Sequence, residues 1–164
     1  MANLKLYSYN KKSTEIFQKQ KERLIKLLGN QEIRHIGSTA VPGLGGKGII
    51  DIMIALKGWK GGKEIVKELK TIGFTHIHPK DKGRIFISQP DETKYGGTHI
   101  HLVKRGNKEY KNLLFFRNYL RKHKKDAQEY NLQKVRLLGK AQGSRTIYKK
   151  LKEKYIKDIL KYAA

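Results

Sequence analysis

A chain of 164 residues with 38% hydrophobic side chains in periodic blocks has the material for one packed domain and is too regularly patterned for a disordered chain. Its 37 Lys and Arg against 14 Asp and Glu give a formal charge of +23, a field that favours polyanions such as RNA, DNA, nucleotides or an anionic membrane surface. Cysteine is absent, which excludes disulfides and thiolate metal sites, so any metal must be held by His, Asp or Glu.

No apolar run approaches the roughly 18 residues that span a bilayer. The opening MANLKLYSYNKKS lacks the apolar core of a signal peptide, so the expectation is a cytoplasmic protein with no membrane partner. The charge is uneven: 18 basic and 9 acidic residues up to Val103 give +9, and 19 and 5 in the 61 residues beyond give +14. Lys outnumbers Arg, so a generic solvated surface is the plain alternative to polyanion binding.

In chain order, residues 14 to 28 place Ile16, Phe17, Leu24, Leu27 and Leu28 near one face of a helix that stops at Gly29. EIRHI follows as a strand, and GSTAVPGLGGKG, with five glycines and one proline in twelve residues, is a loop. IIDIMIAL reads as a buried central strand interrupted by one carboxylate, Asp51. An amphipathic helix over GGKEIVKELKTIG precedes three strands, FTHIH, RIFIS and THIHLV. After Val103 the period becomes helical, with KEYKNLLFFRNYLRKH, DAQEYNLQKVRLLGK and SRTIYKKLKEKYIKDILKY as three helices, the last capped by Ser144. The expectation is one α+β domain over residues 1–164, sheet-rich to 103 and helical from 104, with a small mixed sheet covered by helices.

The chemically dense segment is HIGSTAVPGLGGKGIIDIMI. Gly37 and Ser38 open a loop whose backbone N–H groups can approach phosphate oxygens, and Ser38 adds a hydroxyl donor. Lys47 adds positive charge, and Asp51 on the next strand can hold a divalent cation that bridges those phosphates. His99 and His101, in THIHLV, project from one face of their strand.

Residues His35 to Ile52, HIGSTAVPGLGGKGIIDI, reproduce the hallmark HIGSTAVPGLxxKPIIDI of the GrpB-like family, which is assigned to the polymerase-β-like nucleotidyltransferase superfamily. RIFIS resembles that family's Arg-x-Phe strand, and THIHLV its Thr-His-x-His-Leu strand. LLFFRNYLRKH is similar to its Leu-x-Phe-Arg-Asp-Tyr-Leu-Arg helix, and YNLQK and YKKLK to its two Tyr-x-x-x-Lys segments, so nearly the whole chain is covered. Departures are Gly48 for the usual proline, Asn118 for the usual aspartate and Ser13 where a tryptophan is common.

The resemblance implies a nucleotidyltransferase-type sheet with flanking and C-terminal helices, a nucleoside triphosphate bound at Gly37, Ser38 and Lys47, and an RNA acceptor such as tRNA. It implies a divalent metal, magnesium or manganese first, at Asp51, with His99 and His101 on the strand where a third carboxylate is common in the superfamily. Imidazole ligands shift the preference towards manganese, zinc, iron or nickel; anion contact and purely structural roles are the alternatives for both histidines. Met53 occupies the place of the second carboxylate of active superfamily members. With Asp51 as the other catalytic candidate, Arg84, on the strand before the histidine strand and on the same face as Phe86, is the candidate for neutralising charge during transfer, against a surface arginine. Arg117, Tyr119, Lys134 and Lys152 are candidate substrate contacts, against helix packing or a solvated face. His76 and His78, ended by Pro79, read as a solvated strand end, and His35 either buttresses the loop or sits satisfied in the core. An inactive RNA-binding module and a metal-dependent phosphodiesterase are the alternatives to transfer.

Overall fold

The computed structural model describes residues 5–89 and 97–163. Helix α1 (Lys12–Leu28) leads into strand β1 (Glu32–Ile36), then a short 3-10 turn at Ser38–Ala40 and strand β2 (Ile50–Leu56). Helix α2 (Gly62–Thr71) precedes β3 (His76–Ile77), β4 (Arg84–Ser88) and β5 (Thr98–Lys104), and helices α3 (Lys108–Lys122), α4 (Lys124–Ala141) and α5 (Arg145–Leu160) complete the chain.

The five strands form one sheet in the order β1-β2-β5-β4-β3. β2 and β5 run parallel, and the remaining neighbours are antiparallel. This mixed sheet with helices is the expected α+β architecture. The alternation of β2 divides its side chains: Ile50, Ile52 and Ile54 join Phe17, Leu24, Leu69 and Phe74 in the main core beneath α1 and α2. Met53 and Ala55 go to the other face, where Tyr110, Leu113 and Leu114 of α3 cover them together with Ile36 and Val103.

The boundaries follow local chemistry. The Asn10 side chain accepts from the Lys12 N–H at 2.9 Å at the start of α1, and Gly29, at φ 73°, ends that helix. Ser144 caps α5 by accepting from Ile147 N–H at 3.3 Å. β3 is shorter than the five residues expected because Phe74 turns fully into the core and Pro79 has no N–H to pair. His76 and His78 are exposed, as expected for a solvated strand end.

Candidate functional site

The parallel register sets Asp51 opposite His99 and Met53 opposite His101, so both imidazoles share a sheet face with the one carboxylate. His101 Nε2 lies 3.0 Å and His99 Nδ1 3.5 Å from Asp51 Oδ1. On β4, Arg84 and Phe86 project from this same face. Arg84 Nη1 stands 3.4 Å from His101 Nδ1 and 3.5 Å from Glu109 Oε2. A guanidinium only donates, so His101 accepts at Nδ1 and carries its proton on Nε2, which donates to Asp51. The Phe86 ring meets the edges of His99 and His101 at centroid separations of 4.8 and 5.3 Å and holds both imidazoles upright.

Burial pushes the Asp51 carboxyl upwards, but the hydrogen bonds from His101 and His99 outweigh it and hold the group well below the usual carboxylate range. Burial pushes His101 down despite the attraction of Asp51, so the imidazole is neutral at neutral pH. The Asp51 side chain is 26% exposed against 13% and 11% for His99 and His101, which leaves the carboxylate as the group a ligand meets.

The glycine-rich loop presses on this carboxylate. Gly37 has φ 73°, and a Cβ there would lie 2.6 Å from Asp51 Oδ2, so no larger residue fits. The next residue, Ser38, receives the ammonium of Lys134 at Oγ, 3.3 Å away, and the same ammonium donates to the Gly45 carbonyl at the far end of the loop. Asn131, one turn before Lys134 on α4, accepts from Gly45 N–H at 3.1 Å. Lys134 is 1% exposed, and burial, then the charge of Lys152, pushes its pKa down to about 7. Lys152 is itself pushed down by burial and by Lys47, and drawn up by Asp51, so the three ammonium groups and the carboxylate share one field. Gly48, at φ 76°, adopts a conformation closed to the proline usual in the GrpB-like pattern.

The structure therefore links Gly37, Ser38, Asp51, Arg84, His99, His101 and Lys134 through direct contacts, while Lys152 and the exposed Lys47 join them through charge alone. Arg117 and Tyr119 are engaged in helix packing. Arg117 Nη1 donates to the His35 carbonyl at 2.9 Å and Nε to Asn118 at 3.0 Å, tying α3 to β1. Tyr119 donates to Asp126 at 2.6 Å and stacks with His123 and Tyr162 on the α4 and α5 side. Sequence reasoning missed Glu109, Arg121 and Asn131. Arg121 donates to the Ala40 carbonyl at 2.8 Å and so also fixes the loop. Asn131 carried a usable signal, since three residues before Lys134 places it on the same helical face.

Behind the loop, His35 stacks on Phe17 at 4.6 Å and bonds the Thr39 hydroxyl at 2.9 Å, so it is both a core residue and a buttress. Beside it lies a separate cavity of about 690 Å³, lined by Tyr9, Phe17, His35, Pro42, Arg121 and Lys124 among others.

Among the described residues no group of three or more His, Cys, Asp or Glu has the geometry of a metal site. The donor chemistry of one carboxylate and two imidazoles, with 3.0 Å between Asp51 Oδ1 and His101 Nε2, suits at most a single nitrogen-tolerant ion. It does not suit a pair of ions, because Met53 is fully buried where a second carboxylate would be needed.

This mixed sheet, with a Gly-Ser loop folded onto a strand carboxylate, shares its fold with structural neighbours of the nucleotidyltransferase type. The profile of the family described as "GrpB protein" matches residues 3–162, and the chain belongs to this family. It is 33% identical over 155 residues to the protein YqkA of Bacillus subtilis, covering 91% of this chain and 44% of that protein, so it spans less than half of that relative. The crystal structure of the conserved protein GrpB from Enterococcus faecalis superimposes with a TM-score of 0.82 at 27% identity, over 97% of this chain and 99% of that one. A cytoplasmic RNA terminal U-transferase shares the fold at a TM-score of 0.53 and 16% identity, over 76% of this chain and 39% of that one. Among the described residues no helix is long and apolar enough to cross a membrane.

Proposed function

We propose that this protein binds the phosphate chain of a nucleoside triphosphate at the Gly37–Ser38 loop and transfers the nucleotidyl group to a terminal hydroxyl of an RNA, the new oxygen–phosphorus bond replacing the α–β phosphoanhydride bond as pyrophosphate leaves and the hydroxyl proton passes to solvent. The observation that carries the reading is the ammonium of Lys134, 1% exposed and held between Ser38 Oγ and the Gly45 carbonyl of that loop with the charge of Lys152 near it: buried positive charge is costly unless an anion arrives to pair with it. Ser38 and the exposed Lys47 hold the phosphates, Lys134 braces the loop behind them, and Asp51 presents an ionised carboxylate at their side. His99 and His101 orient that carboxylate. Arg84, within reach of His101 and only partly neutralised by Glu109, offsets negative charge as it develops. A single divalent cation tolerant of nitrogen ligands, such as manganese, would be held by Asp51, with His99 and His101 as ligands only once their protons leave the hydrogen bonds to that carboxylate, and would supply Lewis-acid neutralisation of the phosphates.

A second reading is favoured by one observation, the fully buried Met53 in place of a second acidic ligand. Under it the domain binds nucleotide or RNA without transferring anything. Incubation with labelled nucleoside triphosphates, a panel of divalent metals and total RNA separates the two. Transfer of label to RNA that disappears in Asp51→Ala supports the enzyme. RNA binding that survives Asp51→Ala, with no label transferred under any metal, supports the module; release of free product without transfer points to hydrolysis.

A further inference from the structure

Lys134 is the largest charged side chain in the fully buried set, and its ammonium bridges the two ends of the glycine-rich loop through Ser38 Oγ and the Gly45 carbonyl. The face of Tyr130 lies 4.9 Å from Nζ. Among the described residues no carboxylate stands within ion-pair distance of this ammonium. An interior cation held by a hydroxyl, a carbonyl and an aromatic ring has its dipoles satisfied and its charge unmatched. Resting on the phosphate reading above, we propose that Lys134 is a positioning residue that clamps the loop in its anion-binding shape, and that anion capture there draws a proton onto Lys134.

The chemistry around the ammonium sets the direction. With burial and Lys152 bringing its pKa down to about 7, Lys134 in the free protein loses its proton as pH rises above neutrality. An anion on the loop stabilises the ammonium and raises that pKa, so binding above pH 7 takes up a proton and weakens as pH rises. The groups facing it are Lys152 on α5 and Tyr130 on α4; Lys152 in turn feels Lys47 on the loop and Asp51 on β2, and Tyr130 feels Tyr148 and Tyr155 on α5. Burial raises Tyr148 to about 12 and Tyr130 well above its ordinary value, while Asp51 is already ionised, so none of these three titrates between pH 7 and 9. Lys152 is also pushed down and must be separated by mutation.

The test is calorimetric titration with a non-hydrolysable ATP analogue in metal-free buffer between pH 7.5 and 9, where phosphates with a second pKa of about 6 are fully ionised. Affinity is expected to fall by up to tenfold per pH unit, with close to one proton taken up per ligand, read from buffers of different ionisation enthalpy. Lys134→Arg, which keeps its proton throughout, binds with a flat profile, and Lys134→Met binds more weakly, also with a flat profile. Lys152→Arg retains the slope. A flat wild-type profile, or a slope that persists in both Lys134 variants, overturns the role of Lys134 and leaves phosphate binding standing. Absence of binding at every pH by protein that remains folded by circular dichroism overturns both.

Discussion

His35 joins the loop to the core, and its buried ring makes it a pH sensor of the fold. The side chain is 7% exposed, and burial, reinforced by the charges of Arg121 and Arg117 against the pull of Asp51, brings its pKa down to about 4. The unfolded chain protonates this histidine near pH 6.5, so between about 6.5 and 4 the unfolded state binds more protons than the folded one. Its stabilising contribution is therefore complete above pH 6.5 and is lost as the pH falls towards 4. At about 1.4 kcal/mol per pKa unit, the loss is on the order of 2–3 kcal/mol by pH 4.5. Gln at this position can still bond Thr39 and does not titrate. Urea denaturation of wild type and His35→Gln at pH 7 and pH 4.5 should show the wild type losing that much more stability than the variant. Parallel curves would mean that His35 protonates freely in the folded protein.

Among the elements, α3 decides what the sheet face can be used for. Its Tyr110, Leu113 and Leu114 pack on Met53, Ala55, Val103 and Ile36, so the position two residues after Asp51 lies under a helix. A carboxylate installed there by Met53→Asp would be buried under the helix beside His101, whose two ring nitrogens are already engaged by Asp51 and Arg84, and opposite Arg34, already paired with Glu32, and would destabilise the fold by about 3–5 kcal/mol. Thermal unfolding should show a Tm drop of many degrees and no gain in metal affinity; a stable variant with a second bound manganese would refute this account. The same helix shows where the sequence was legible and where it was not. Asp51 stood out because a charge inside an apolar run demands a reason, and the period-2 spacing of His99 and His101 put them on one face before any partner was known. The loop was legible from its glycines. Arg117 and Tyr119 were not, because a 3.6-residue period says which helical face is inward and nothing about which carbonyl or carboxylate a polar tip will meet. The clamp by Lys134 was equally hidden, since it joins residues 96 positions apart.

For the whole molecule, the consequence of +23 depends on how many of its acids are already used internally. Glu32 is shared by Arg34 at 3.2 Å, Arg105 at 2.8 Å and the Tyr110 hydroxyl at 3.0 Å, and Asp51 is taken by histidines. Among the described residues, Lys161 with Asp158 is the lysine ion pair, and the excess of charge is densest in the last 61 residues, which carry 19 basic side chains and 5 acids. Lys122, Lys124 and Lys125 sit together and exposed where α3 meets α4. If an RNA strand is the acceptor, its phosphates should displace counterions along this helical side, and each neutralised contact contributes about −0.7 to the slope of log affinity against log salt for a single strand. Anisotropy of a labelled single-stranded RNA between 50 and 200 mM salt should therefore show affinity falling by at least an order of magnitude. Replacing the three lysines by glutamine should weaken binding to every RNA sequence alike and make the slope shallower by about 2. A wild-type affinity that does not move with salt would remove RNA from the proposed reaction and leave the charge as a solvated lysine surface.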